Sequence, residues 1–377
     1  MSWSLVKLED ICKTTQGVQI TKANTQVESY EGGCRYLYIA DFISEKKLSF
    51  VDDVFDNKKV TTDDLVMANT GSPGRVFKGK YGILSNNLFK ISFDKKVVNR
   101  DYLYLMLSST VFQKILQQQM KGGIQKHLGH ETISRQEIPL PPLKEQQRIA
   151  AILDKADAIR QKRKQAIELA DDFLRSVFLD MFGSDLVRDT DRIMFGDVTI
   201  LDAKMVDPRE EEYLDLLHIG PDRIEKNTGK LLPALTAREE MLISKKFLFD
   251  SQYVLYSKIR PYLRKTALPD FSALCSADMY PIKPIGGKST REFIWMLLLS
   301  DLFDSYVSSL PDRANIPKLN KKELAAFEFS LPAWNKLEKF SKICKRINDH
   351  KKNHEQSFQL SNDAFNSLSQ KAFSGQL

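Results

Sequence analysis

Apolar and polar positions follow two periods along the chain, and each period predicts its own kind of element. Short apolar runs bounded by Gly, Asn, Asp or Pro predict strands. In the first half these runs are CRYLYIADFI, DLVMA, YGILS and LFKISF, and in the second half they are YLDLLHIG, YVLYS and MYPIKP. Two runs with the helical period, NRDYLYLMLSSTVFQKILQQQM and TREFIWMLLLSDLFDSYVSS, each predict one helix, with Asn99 and Thr290 as N-caps.

A much longer helix is predicted after each of these runs. In the first copy the apolar residues step by three and four and form a narrow stripe: Ile149, Ile152, Leu153, Ala156, Ile159, Ala166, Ile167, Ala170, Phe173, Leu174, Val177 and Met181. The second copy places these residues at most of the equivalent sites: Phe340, Ile343, Cys344, Ile347, Phe358, Phe365 and Leu368. A narrow stripe over about 35 residues, or about 50 Å, predicts a long partner helix. We expect the two copies to pair antiparallel; the alternative is that each helix packs on its own globule.

The two halves repeat each other at a spacing of 191 residues, which aligns Leu128 with Leu319 and Glu137 with Glu328. Upstream the spacing becomes 188, which aligns Pro73 with Pro261. A long ungapped repeat predicts that each half is one structural unit. The predicted fold class is α+β, with two similar strand-rich domains joined by two long helices in an antiparallel coiled coil. The predicted boundaries are 1–142 for the first domain, 143–183 for the central helix, 184–333 for the second domain and 334–377 for the C-terminal helix.

Composition narrows the classes of function. The net charge of +7 favours polyanionic partners such as nucleic acid or a membrane surface. The longest apolar run, Phe293–Leu299, is far shorter than the roughly 20 residues that span a bilayer. The N-terminus has no apolar signal region, and the four cysteines are far apart, so we expect reduced thiols and a cytoplasmic protein.

No catalytic or metal site is predicted. The GGKST stretch at 286–290 lacks the first glycine of a phosphate-binding loop, and a turn before a helix is the better interpretation. His350 and His354 lie one helical turn apart, but no carboxylate or cysteine completes a metal site around them. Glu45-Lys46-Lys47 fits part of a nuclease motif without its preceding Pro-Asp. The chain also contains no Asn/Asp-Pro-Pro-Tyr motif, which argues against an adenine methyltransferase.

One stretch resembles a known family. GGIQKHLGHETISRQEIPLPPLKEQQRIAAILDKAD, residues 122–157, is similar to the signature of the specificity (S) subunit of type I restriction–modification systems. The match covers a Gly-rich loop with Gln125 and Leu128, the IPLPPL run, and the Glu145-Gln146 pair that enters the long helix. The second half departs from this signature: Ser330 stands at the first proline site, Ala333 and Trp334 replace Pro142 and Leu143, and Lys336-Leu337 replaces the Glu-Gln pair.

This resemblance implies two target recognition domains that each read one half of a split, asymmetric DNA sequence, with two helices that act as a spacer. It implies a subunit without catalytic activity that docks two methyltransferase (M) subunits and, through them, restriction (R) subunits. S-adenosylmethionine, ATP and Mg are then expected on the partner subunits, and no cofactor in this chain. The residues expected to dock the M subunits are Pro141, Pro142, Leu143, Glu145, Gln146, Arg148 and Trp334.

Two polar segments in each half are candidates for DNA contact, because basic side chains hold phosphates and Arg or Asn can read base edges. The first lies after a predicted strand and contains Asn69, Thr70, Ser72, Arg75, Lys78 and Lys80, or Lys258, Arg260, Tyr262, Arg264 and Lys265. The second precedes the last strand and contains Lys121, Gln125, Lys126 and His127, or Arg313, Asn315 and Lys318. We expect Asn69, Arg75, Arg260 and Tyr262 to read bases. The alternative is that these are ordinary solvated loops.

Two rival functions stay open. A bilobed coiled-coil adaptor would bind proteins without DNA specificity, and a fused methylase or nuclease would be an enzyme in its own right. Steep salt dependence and preference for one duplex would argue against the adaptor. Absence of activity with S-adenosylmethionine or Mg would argue against the enzyme.

Overall fold

The computed structural model describes residues 3–44, 47–120, 127–311 and 317–377. By its internal contacts the chain divides into two compact units. Unit 1 contains residues 1–163 and 356–377, and unit 2 contains residues 164–355. Each unit therefore combines one strand-rich domain with a segment of each long helix.

Two four-stranded sheets and one strand pair form the domain of unit 1. Its strands are β1 (Leu5–Lys7), β2 (Cys12–Gln16), β3 (Gly33–Leu37), β4 (Phe50–Asp52), β5 (Lys59–Val60), β6 (Leu65–Ala68), β7 (Val76–Lys78), β8 (Gly82–Leu84), β9 (Leu88–Phe93) and β10 (Glu137–Pro139). The sheet orders are β2-β9-β6-β7, which is antiparallel, and β4-β3-β8-β5, in which β3 and β8 run parallel. Strand β1 pairs antiparallel with β10, the strand that ends in prolines, with Val6 opposite Ile138.

Unit 2 repeats this arrangement. Its strands are β11 (Arg192–Met194), β12 (Thr199–Ile200), β13 (Met205–Val206), β14 (His218–Ile219), β15 (Lys246–Phe249), β16 (Val254–Ser257), β17 (Thr266–Ala267), β18 (Ala273–Cys275), β19 (Met279–Pro284) and β20 (Glu328–Ser330). The sheet orders are β12-β19-β16-β17 and β13-β15-β18-β14, with β14 parallel to β18, and β11 pairs with β20. The internal repeat that the spacing predicted is confirmed.

The helices correct one prediction. They are α1 (Leu8–Ile11), α2 (Arg100–Ser108), α3 (Thr110–Gln119), α4 (His130–Ser134), the central helix α5 (Leu143–Leu186), α6 (Phe195–Val198), α7 (Arg291–Leu299), α8 (Asp301–Ser309), α9 (Lys321–Ala325) and the C-terminal helix α10 (Trp334–Ser374). Each run predicted as one helix before the long helix is two. Ser109 and Ser300 have extended backbones, and their hydroxyls accept the N–H groups of Phe112 and Phe303, which begins a new helix.

The other predicted ends agree well with the structure. Asn99 and Thr290 are N-caps whose side chains accept backbone N–H groups of the first turn. Two predicted strands are shorter than expected. The run CRYLYIADFI leaves the sheet after Leu37 and turns through a 3-10 segment, Ile39–Phe42, and the run YLDLLHIG contributes only His218–Ile219.

Within each unit, the two long helices contribute segments that run antiparallel. In unit 1 the guanidinium of Arg160 lies 4.4 Å from the ring centroid of Phe365, and Leu153 and Ala372 are buried in one cluster. In unit 2 the ammonium of Lys351 lies 2.6 Å from Asp171, and that of Lys336 lies 2.6 Å from Asp185. A higher number on one helix therefore meets a lower number on the other.

The predicted apolar stripe is only partly buried. Ile149, Leu153 and Leu174 of the stripe are buried, whereas the side chains of Ile159 and Phe173 are 53% and 59% exposed. Phe178, which the stripe did not include, is also buried. The buried positions also contact the domains, because Ile149 clusters with Tyr102 in unit 1 and Phe178 with Phe293 in unit 2. In each unit, therefore, the segments of the two long helices pack on each other and on the domain of that unit.

Candidate nucleic-acid interface

The loop after β6 in unit 1 makes a tight turn with backbone that glycine favours. Gly71 has φ +72° and Gly74 has φ +89°, both in the left-handed region. A Cβ at Gly74 would lie 2.9 Å from Leu116 Cδ2, so a side chain there would have to displace Leu116 on α3. The side-chain amide of Gln113 on α3 donates to the carbonyl of Gly74 at 2.8 Å, which fixes the loop against the helix.

The second predicted segment of unit 1 lies beside this loop. The N–H of Leu128 donates to the carbonyl of Asn69 at 2.9 Å, and His127 next to it is exposed. The structure thus brings together two segments that are about 60 residues apart in the chain. Lys121, Gln125 and Lys126, which the sequence also nominated, lie outside the described residues.

Unit 2 shows the same convergence with different residues. The N–H of Arg260 donates to the carbonyl of Pro317, and the N–H of Leu319 donates to the carbonyl of Lys258, both at 2.9 Å. Ile259 pairs with Lys318 as an isolated bridge. Arg313 and Asn315 lie outside the described residues. In each unit, therefore, the loop after the third strand of the sheet lies against the segment before the last strand.

The unit 2 loop reaches its turn without glycine. Arg260 and Arg264 have φ values of 49° and 47°, and the 3-10 turn Pro261–Leu263 lies between them. Left-handed backbone is unfavourable for side chains other than glycine, so surrounding contacts must hold it. The tip of this turn presents Tyr262, which is 56% exposed.

Several residues predicted to contact DNA in unit 1 are already engaged within the unit. Asn69 is 1% exposed and its amide donates to the carbonyl of Asn86 at 2.9 Å, which corrects the expectation that Asn69 reads bases. The ammonium of Lys78 lies 2.9 Å from Asp101, and that of Lys80 donates to a backbone carbonyl at 2.7 Å. Arg75 is exposed, with its guanidinium 5.2 Å from the ring centroid of Phe77, and Thr70 and Ser72 are half-buried.

Unit 2 shows the same division between engaged and exposed cations. Lys258 donates to the carbonyl of Ala277 at 2.5 Å, and Lys265 donates to the carbonyl of Pro221 at 2.6 Å. Arg264 lies between two carboxylates of α8, 2.8 Å from Asp301 and 2.7 Å from Asp304. Arg260, Tyr262 and Lys318 are exposed. Sequence reasoning missed Gln113, Asp301 and Asp304, although Gln113 and Asp304 stand 191 residues apart and so share one position of the repeat.

The junction between the domain and the central helix corrects a second expectation. Gln146 was expected to dock a partner, but it is fully buried. Its side-chain oxygen accepts the N–H of Asn99 at 2.8 Å, and its amide donates to the carbonyls of Val97 at 3.0 Å and Pro141 at 2.8 Å. Gln146 therefore ties three segments of unit 1 together, and Pro141 is buried beside it.

The remaining residues expected to dock partners stay accessible. Pro142 and Arg148 are exposed, Leu143 and Glu145 are half-buried, and Trp334 is 39% exposed. Arg148 contacts Glu145 at 2.6 Å and donates to the terminal carbonyl of Leu377 at 3.0 Å. The hydrogen bond from Arg148 lowers the pKa of the Glu145 carboxyl, so this pair stays ionised at neutral pH.

His350, His354 and the GGKST stretch lie in the described part of the chain. No group of three or more His, Cys, Asp or Glu side chains is close enough to hold a metal ion there. His350 and His354 are exposed, and Thr290 of the GGKST stretch caps α7. No described helix combines the length and the apolar content that crossing a membrane requires.

Comparison with known proteins shows which proteins the chain is similar to. Residues 2–169 match the family model described as the type I restriction modification DNA specificity domain. The EcoDI specificity subunit, part of a type I restriction enzyme of Escherichia coli, is 34% identical over 138 residues, which cover 37% of this chain and 30% of that protein. The MjaVIII specificity subunit of Methanocaldococcus jannaschii is 29% identical over 182 residues, covering 48% of this chain and 42% of the relative. The chain thus spans less than half the length of these curated relatives.

Solved structures show the same fold over the whole chain. The S subunit of a type I restriction–modification system from M. genitalium aligns with a TM-score of 0.60 at 14% identity, covering 99% of this chain and 96% of that one. A chain from work on complex assembly and conformational transition of the type I R-M system aligns at 0.50 and 14% identity, covering 100% and 98%.

Residues 2–169 therefore match the type I restriction modification DNA specificity domain, and the predicted resemblance to specificity subunits is confirmed. Both of these relatives are named as specificity subunits of type I restriction enzymes.

Proposed function

We propose that the chain is the non-catalytic, DNA-reading specificity subunit of a type I restriction–modification complex, in which each unit reads one half of a bipartite, asymmetric target. The observation that carries this proposal is the convergence of two polar segments at the same place in both units, with unlike residues in each. One scaffold used twice with different reading residues suits a target whose two halves differ.

The exposed side chains at these places have suitable chemistry. Arg75 in unit 1 and Arg260 in unit 2 carry guanidinium groups that can donate two hydrogen bonds to a guanine edge. Tyr262 offers an aromatic face and a hydroxyl, and Lys318 offers a phosphate contact. The net charge of +7 adds long-range attraction to the phosphate backbone.

We also propose that the chain docks two M subunits and, through them, R subunits. The exposed or half-exposed residues Pro142, Leu143, Glu145, Arg148 and Trp334 are the proposed contacts, whereas Gln146 is excluded by its burial. S-adenosylmethionine, ATP and Mg then belong to those partners, and this chain supplies recognition alone.

Selection of bound duplexes from a random library by the full chain, with its M partner present, tests the proposal. The expected result is an enriched non-palindromic sequence in two parts, with affinity that falls steeply as salt rises. Failure to enrich any sequence, together with salt-insensitive binding, would contradict DNA reading and favour the protein-binding adaptor instead. Methylation or cleavage by the isolated chain would contradict the non-catalytic role.

A further inference from the structure

Helices α3 and α8 follow the capping serines Ser109 and Ser300. In each unit, one residue at the same position of the repeat on this helix contacts the loop that carries the candidate DNA-reading residues. In unit 1 this position is Gln113 on α3, whose amide donates to the carbonyl of Gly74 at 2.8 Å. In unit 2 it is Asp304 on α8, whose carboxylate lies 2.7 Å from the guanidinium of Arg264. The position therefore supplies a donor to the backbone in one unit and an acceptor for a cation in the other.

The guanidinium of Arg264 already makes three polar contacts within unit 2. Its Nη1 lies 2.8 Å from Asp301 and 3.4 Å from the carbonyl of Leu299, while its Nη2 lies 2.7 Å from Asp304. Its side chain is 22% exposed. Two carboxylates therefore already contact this guanidinium, and a DNA phosphate brought to it would approach two negative charges.

The backbone around Arg264 explains why unit 2 needs these contacts. Arg260 and Arg264 both adopt left-handed backbone, at the two ends of the turn that presents Tyr262. Such a turn persists in a non-glycine sequence only where other contacts determine it. Unit 1 uses Gly71 and Gly74 at its turn, so its loop carries no comparable strain.

We infer that Arg264 is a positioning residue of the unit 2 reader: held by Asp301 and Asp304, it fixes the turn that presents Arg260 and Tyr262 to DNA, and it does not itself contact DNA. This inference rests on the proposed function. It replaces the sequence-based expectation that Arg264 holds a phosphate, and it predicts that disturbing the contact changes specificity at one half-site only.

Two variants of the full chain test it, with its M partner and the selected target duplex. Arg264→Gly removes the guanidinium yet keeps the left-handed backbone accessible, and Asp304→Asn removes the charge of one partner without touching the loop. Both should reduce discrimination against single mismatches in the unit 2 half-site by about tenfold. Discrimination in the unit 1 half-site, and the slope of log affinity against log salt, should not change.

A phosphate contact would give the opposite pattern. Arg264→Gly would then lower the salt slope by about one and weaken all duplexes alike. Asp304→Asn would tighten binding, because it removes a negative charge beside the phosphate. Either result would overturn the positioning role.

A double variant and two controls complete the experiment. Because both changes break one contact, Arg264→Gly with Asp304→Asn should lose no more discrimination than either alone, whereas multiplied losses would argue against a shared contact. Arg264→Lys should retain part of the discrimination, since one ammonium cannot reproduce the two-pronged guanidinium geometry. Asp215→Asn, which removes the 3.0 Å partner of Arg238 in the same unit, is the matched charge control and should leave discrimination unchanged.

The outcomes also separate this inference from the proposed function. A wild-type chain without any sequence preference would overturn the proposed function and the positioning role together. Wild-type preference that survives undiminished in both variants would overturn the positioning role alone. Hydrogen exchange of β16 and β19 checks that unit 2 stays folded, and Asp304→Asn remains decisive if Arg264→Gly does not fold.

Discussion

Where the long-helix segments pack on the domain, the two units have different kinds of side chain at equivalent positions of the repeat. Unit 2 uses four buried or nearly buried aromatic rings whose neighbouring centroids lie 5.2 to 5.9 Å apart: Phe178, Phe182, Phe293 and Phe340. The residues of unit 1 offset by 191 positions from these are Ser369, Phe373, Tyr102 and Ile149. One fold thus closes the same junction with an aromatic cluster in one unit and a mixed cluster in the other.

Unit 1 compensates with hydrogen bonds. The hydroxyl of Tyr102 donates to the carbonyl of Pro139 at 2.7 Å, a bond that Phe293 cannot make, and burial raises the pKa of this phenol. Gln146 adds three hydrogen bonds at the position where unit 2 has the buried Leu337. Hydrogen bonding in unit 1 and apolar packing in unit 2 therefore stabilise equivalent positions of the repeat.

The largest expected effect is on the aromatic cluster. Phe182→Ala removes a fully buried ring with three aromatic neighbours and should lower the free energy of unfolding by about 4 kcal/mol. Phe373→Ala, at the equivalent position of unit 1, should cost about 2 kcal/mol because that ring is only half-buried. Hydrogen exchange at increasing denaturant concentration measures the free energy of unfolding of each unit in both variants. Equal losses of stability would contradict the difference between the two units.

Exchange of the junction residue should have the next largest effect. Gln146→Leu introduces the unit 2 residue into unit 1 and leaves the N–H of Asn99 and the carbonyl of Pro141 without their partner. Loss of these bonds should destabilise the protein by about 3 kcal/mol, measured by the same unfolding assay. Leu337→Met, which conserves volume in an apolar site, is the control and should cost under about 1.5 kcal/mol. An unaffected Gln146→Leu variant would show that the hydrogen bonds are dispensable.

Alanine at the exposed arginines should separate the two readers. Arg75→Ala should relax discrimination in one half-site and Arg260→Ala in the other, each by about 1 to 3 kcal/mol if the guanidinium reads a base. Binding of the selected duplex and its single-mismatch variants measures the effect. Lys95→Ala, whose exposed ammonium lies 2.7 Å from Asp63, is the control for loss of a surface charge. Both arginine variants weakening the same half-site would refute the assignment of one unit to each half.

The smallest effect concerns pH and unit 1 alone. His130 lies with its ring centroid 4.1 Å from that of Phe89 and its Nδ1 2.8 Å from the Thr14 hydroxyl, whereas unit 2 has Lys321 at this position. Burial, then the charges of Lys58 and His127, lower the pKa of His130 below its ordinary value of 6.5. The unfolded state therefore takes up the proton first as pH falls. The stability from neutral His130 is present above pH 6.5 and is lost as pH falls through that value toward the folded pKa.

Hydrogen exchange at neutral and mildly acidic pH tests this dependence. Protection of β2 and β9 should weaken on acidification in the wild type, and less so in His130→Phe, which keeps a ring against Phe89 but has no titratable group. The equivalent strands of unit 2, β12 and β19, serve as the internal control. An identical acid response in the variant would exclude His130 as the cause.

Much of the fold follows from the order of residues alone. The strand runs, the caps at Asn99 and Thr290, the start of the central helix at Leu143 and the repeat of 191 residues are local or periodic patterns, and burial of one face enforces them. The break at Ser109 was missed because the apolar period continues on both sides of it. Only the serine hydroxyl, which caps the second helix, separates the two.

The candidate site depended on tertiary structure. The sequence alone predicted the polar loops in both halves. It could not distinguish the cations and amides that form hydrogen bonds within a unit from those that stay accessible to DNA. Which of them form contacts within a unit was decided by partners elsewhere in the chain: Asn86 for Asn69, Val97 for Gln146, and Asp301 for Arg264. A polar side chain is available to a ligand only when folding leaves its hydrogen bonds unfilled, and that depends on which distant groups the fold brings within about 3 Å of it.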